Sequence, residues 1–123
     1  MANTLGTPTV TRQRAQFQGL FTEMWTVSIP VSDQDAIADD VSVTLTCTVP
    51  GVALGDIVLF AGSNKSQSDA NASVTLDLWV SAANTVTVRL TNVDDATDAY
   101  DADTLTNGYI YAVIARPQWP GVA

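Results

Sequence analysis

Val74-Thr-Leu-Asp-Leu-Trp-Val80, Ser81-Ala-Ala-Asn84 and Thr85-Val-Thr-Val-Arg-Leu-Thr-Asn-Val93 run on from one another, and this stretch decides the fold. In its second arm Val86, Val88 and Leu90 fall on one side, and Thr85, Thr87, Arg89 and Thr91 on the other. A period of two is the mark of a strand with one buried face. Val74, Leu76, Leu78 and Val80 repeat the pattern in the first arm, opposite Thr75, Asp77 and Trp79. Ser81–Asn84 is a short polar break, so the stretch reads as an antiparallel hairpin. Its apolar side needs a second sheet to cover it.

The rest of the chain supplies strand signals. Trp25, Val27 and Ile29 alternate with Met24, Thr26 and Ser28, until Pro30 stops the pattern. Val41, Val43, Leu45, Cys47 and Val49 alternate with Ser42, Thr44, Thr46 and Thr48. Pro50-Gly51 and Gly55-Asp56 are turn signals before the apolar run Ile57–Phe60. Tyr109–Arg116 is the closing strand. Sixteen Thr and fifteen Val in 123 residues agree with this reading, because β-branched side chains fit a pleated surface. About seven short strands separated by turns predict an all-β, single-domain antiparallel β-sandwich, with a closed barrel as the alternative.

The amino-terminal segment has no clean period. Phe17, Leu20 and Phe21 sit at helical spacing, but Gly19 weakens a helix over Arg12–Phe21. The segment reads as an extended arm that needs a docking surface. The expected organisation is an arm over 1–22, a sandwich over 23–117 and a tail over 118–123.

Composition narrows the function. The net charge is −8, with thirteen acidic and five basic residues, so a phosphate backbone is a poor partner. No run approaches the roughly 18 apolar residues of a membrane span. The start lacks the charged and apolar regions of a signal peptide. Without a secretion signal, the sequons at Asn64 and Asn71 carry no weight.

The chain has no His, which removes His-based triads and most catalytic zinc sites. Cys47 is the only cysteine and falls on an inward face, so it reads as a buried structural thiol. Ser63, Lys65 and Ser66 do not have acyl-transfer spacing. A carboxylate pair for glycoside hydrolysis would need a cleft that a small sandwich seldom has. The expectation is a protein without catalytic activity or cofactor.

Asp94, Asp95, Asp98, Asp101 and Asp103 form an acidic loop. Hard oxygen ligands suit Ca²⁺, but the helix-loop-helix template fails for want of its Gly and Glu. The loop reads first as solvated, its carboxylates closing turns on their own backbone. Trp79 and Trp119 are candidate contacts with an oligomer or partner, ahead of a sugar platform. Arg12 and Arg14 make the arm locally basic, and their guanidinium forks suit carboxylates on another protein. Phe17, Leu20 and Phe21 would follow as apolar anchors.

Three segments in order carry a resemblance: Val49-Pro-Gly-Val-Ala-Leu-Gly-Asp-Ile-Val-Leu59, Trp79–Val93, and Tyr109-Ile-Tyr-Ala-Val-Ile-Ala-Arg116. Over roughly Val27–Arg116 the chain resembles the head decoration, or cement, proteins of tailed bacteriophages. The resemblance implies a β-sandwich or jelly roll made in the host cytoplasm and bound to the outer capsid surface of the virion. It implies the major capsid protein as partner, a homotrimer as the assembly, and no catalytic residues. A carbohydrate-binding or host-attachment module on the virion is the alternative.

Overall fold

A computed structural model describes residues 5–14, 20–32, 37, 42–65, 67, 73–92 and 108–118. Seven strands follow one another: β1 (Thr9–Arg14), β2 (Phe21–Pro30), β3 (Ser42–Thr48), β4 (Ile57–Ser63), β5 (Val74–Ala82), β6 (Thr85–Asn92) and β7 (Tyr109–Pro117). There is no helix among the described residues. The strands form two antiparallel sheets, ordered β1-β2-β7-β4 and β3-β6-β5. The fold is a β-sandwich.

The alternation seen in the sequence becomes the core. Trp25, Val27 and Ile29 of β2 and Ile110, Ala112 and Ile114 of β7 line one sheet. Val74, Leu78 and Val80 of β5 and Val86, Val88 and Leu90 of β6 line the other. Burying a Val, Leu or Ile side chain stabilises by roughly 1.5–3 kcal/mol, so this cluster dominates the fold. Ile37, between β2 and β3, is buried, and buried Asn92 donates through Nδ2 to its carbonyl at 3.0 Å.

The central hairpin is tighter than the sequence suggests. Ser81 and Ala82 stay in β5, past an irregularity between Val80 and Ala82, and only Ala83-Asn84 turns. Asn84 has φ 59°, a left-handed conformation that asparagine tolerates better than most residues. It also ties the β5–β6 turn to the segment that follows β3. Its amide donates to the Val52 carbonyl at 2.8 Å, its carbonyl accepts from Val49 at 3.0 Å, and its Oδ1 accepts from Gly51 at 2.7 Å.

Two expectations are corrected. Thr9–Arg14, read as part of an arm or a helix, is a strand of this chain's own sheet, with Thr11 opposite Thr26 and Arg12 opposite Trp25. The polar sequence of β1 suits an edge strand, which needs only one neighbour. In β3 the inward residues Val43, Leu45 and Cys47 are half-buried rather than core, because β3 lies at the edge of its sheet.

Candidate interaction surfaces

At one end of the sandwich the inward positions change from apolar to charged. Arg12, Glu23 and Arg116 continue the inner rows of β1, β2 and β7. Both guanidinium carbons lie 5.1 Å from the centre of the Trp25 ring. Arg12 Nη2 donates to Glu23 Oε2 at 2.7 Å, and Arg116 Nη1 reaches the same oxygen at 3.2 Å. Arg116 also donates through Nη2 to the Gly51 carbonyl at 2.9 Å. The Trp25 indole donates to the Pro50 carbonyl at 3.2 Å. These groups cover the indole and satisfy one another, so they close the core rather than present a free basic patch.

The Pro50-Gly51 turn fits closely under this cover. Gly51 has φ 95°, and a Cβ there would fall on the Arg12 guanidinium and within 3.3 Å of the Trp25 indole nitrogen. The positive φ requires glycine, and any side chain there would also have to displace the Arg12 guanidinium from Trp25.

The outer face of the four-stranded sheet has a different character. In register across it lie Thr11, Thr26, Val113 and Phe60, then Thr9, Ser28, Tyr111 and Gly62. Phe60 is 56% exposed, Tyr109 41% and Tyr111 40%. The two tyrosine rings stack, with centres 6.1 Å apart and planes 18° from parallel. Phe60 lies over Gly62, where a Cβ would come 3.3 Å from the ring. A shallow hollow runs between Phe60, Tyr111 and the hydroxyls of Thr9, Thr11, Thr26 and Ser28. None of these residues is charged, in a chain of net charge −8. The period of two in Tyr109-Ile-Tyr-Ala-Val-Ile114 signals only the tyrosine part of this face, because it puts both tyrosines opposite the core positions.

The outer face of the other sheet is rich in hydroxyls. Trp79 points outward as expected but is half-buried, with Arg89 Cζ 5.1 Å from its ring centre. Arg89 in turn lies 3.7 Å from Asp77. Thr87, beside Trp79 in register, is 5% exposed, and its hydroxyl is 2.6 Å from that of Ser81.

Of the residues expected to dock the arm, Arg12, Leu20 and Phe21 are described together with the backbone of Arg14. Arg12 is held by Glu23 over Trp25, and Arg14 ends β1 opposite Glu23. Leu20 is 50% exposed, Phe21 is half-buried, and the Leu20 carbonyl accepts from the Gln118 amide at 2.8 Å. Phe17, Trp119 and the acidic set Asp94, Asp95, Asp98, Asp101 and Asp103 lie outside the described residues. No group of three or more His, Cys, Asp or Glu able to hold a metal occurs among the described residues.

No family model, curated protein or solved structure matches the chain.

Proposed function

We propose that this protein is a non-enzymatic structural component of a tailed-phage virion, bound to the outer surface of the capsid, where it bridges coat subunits and stabilises the shell. The observation that carries the reading is the uncharged aromatic face of Phe60, Tyr109 and Tyr111. Exposed aromatic patches favour protein contact, and tyrosine is among the commonest residues at the energetic centre of interfaces. Tyr109 and Tyr111 lie in one of the three segments that carry the resemblance to decoration proteins. A protein that binds only the assembled shell stabilises it by mass action, without chemistry.

The test is co-sedimentation with purified capsids lacking the protein. Phe60→Ser with Tyr111→Ser should lower occupancy at least about tenfold, on the scale of losing one interface anchor. Circular dichroism should stay unchanged, because both side chains are outside the core. Full occupancy by the double variant would move docking off this face. Failure of the unaltered protein to bind any capsid would overturn the function.

A second reading uses the same face. Near-parallel tyrosines beside a row of hydroxyls also suit stacking and hydrogen bonding to a neutral sugar. Retention on a neutral glycan array, lost with Phe60→Ser and Tyr111→Ser and paired with no capsid binding, would favour it.

A further inference from the structure

A β-sandwich has four strand edges, each a row of backbone groups able to pair with another chain. Three of these edges carry features that discourage pairing. β1 bears Arg12 and Arg14. β4 has an irregularity between Val58 and Phe60, and Gly62 beyond it. β5 has Asp77 and an irregularity between Val80 and Ala82. Bulges and charges on an edge are the usual devices against strand addition.

β3 has none of them. Its sequence, Ser42-Val-Thr-Leu-Thr-Cys-Thr48, holds no charge, proline or glycine. It pairs with β6 residue by residue from Ser42 to Thr48 without interruption. The outer edge of β3 makes no backbone hydrogen bond to any described residue. Val43 and Cys47 pack against the core yet remain half-buried, and Leu45 between them is half-buried too. On the facing sheet Leu5 and Val10 are also half-buried, and an opening is lined by Leu5–Pro8 and Thr46–Thr48. Among the described residues the β1/β3 side of the sandwich is left open, and a further strand beside β3 would cover apolar surface there.

We infer that β3 pairs antiparallel with β3 of a second copy of this chain, across a two-fold axis, to make one six-stranded sheet. Strand β3 is its own complement. Antiparallel pairing puts apolar Val43, Leu45 and Cys47 beside the same residues of the other copy, and the Ser and Thr hydroxyls beside hydroxyls. A two-fold contact uses the same patch on both partners, as this one does. Charge points the same way. Two chains of net charge −8 repel, and an uncharged strand lets them meet without opposing like charges. This contact is separate from the aromatic face, so it is tested independently of the proposed function, and it puts a two-fold dimer in place of the homotrimer that the resemblance implies.

Sedimentation equilibrium of the purified full chain tests the inference. A dimer is expected, dissociating on dilution. Thr44→Lys with Thr46→Lys adds charge to exposed positions of the edge, and it should give a monomer with an unchanged circular dichroism spectrum. Hydrogen exchange of the unaltered protein gives a second readout that does not depend on the variant folding: amides of Val43–Cys47 should gain protection as concentration rises. A monomer at all concentrations, a trimer, or a dimer indifferent to both lysines would overturn the inference. So would exchange in β3 that is independent of concentration.

Discussion

Arg116 and Asp56 meet through two parallel hydrogen bonds, Nε to Oδ1 and Nη2 to Oδ2, both 2.9 Å. The Asp56 side chain is 3% exposed, and its Oδ2 also accepts from the Ala53 amide at 2.9 Å. Hydrogen bonding to Asp56 pushes the Arg116 pKa above its ordinary value, against the opposing effect of desolvation. The pair fixes the turn before β4 onto the last turn-facing residue of β7, and it anchors the cover over Trp25.

Arg116→Ala should therefore cost about 2–4 kcal/mol, because it leaves a buried carboxylate short of its partner. Arg12→Ala should cost only about 0.5–1 kcal/mol, since the Arg12–Glu23 pair is substantially exposed. Urea denaturation of both variants checks the ranking. Equal losses would mean that the buried Asp56 carboxylate does not depend on Arg116.

Asn84 has two separable roles, its backbone conformation and its side-chain bond to Gly51. Asn84→Gly keeps the first and loses the second, so it should destabilise by about 1 kcal/mol. Asn84→Val should cost about 1–2 kcal/mol more, because a β-branched residue resists a left-handed φ. Equal stability of the two variants, measured by thermal unfolding, would contradict the role assigned to φ.

Burial pushes the Cys47 thiol up to about 11 from 9.0. A pKa raised by folding means that the folded state holds the proton more tightly. The stability this contributes is complete below the unfolded thiol's range and is lost as pH rises through about 11. Labelling of the native protein by a thiol reagent should be slow near about pH 8 and accelerate toward the raised value. Cys47→Ala should remove this thiol's share of the alkaline loss of stability, seen by comparing unfolding curves across that range. Immediate native-state labelling at neutral pH would show that the thiol is not desolvated.

The sequence made most strands legible where one face is apolar. β5, β6 and the centre of β2 follow the period of two almost residue by residue. β1 was hidden because one of its inward positions is Arg12, whose guanidinium covers an indole instead of filling an apolar gap. Pattern reading takes such a residue for a free charge, and only the register with Trp25 and Glu23 reveals its partners. The aromatic face was hidden for a related reason. Phe60, Tyr109 and Tyr111 come from two strands distant in sequence, and Phe60 reaches the outer row only after the irregularity at Leu59. Tertiary pairing brings them together, and no single segment records it.

The position of β7 between β2 and β4 has a consequence for biosynthesis. Strands β3, β5 and β6 can close their sheet once residues through Asn92 have left the ribosome. By contrast, β2 and β4 lack their shared neighbour until Tyr109–Pro117 emerges. Half the core, including the cavity that holds Trp25, must wait for that last strand. During translation the nascent chain therefore carries one finished sheet with its apolar side bare, and the second arrives in a single late step.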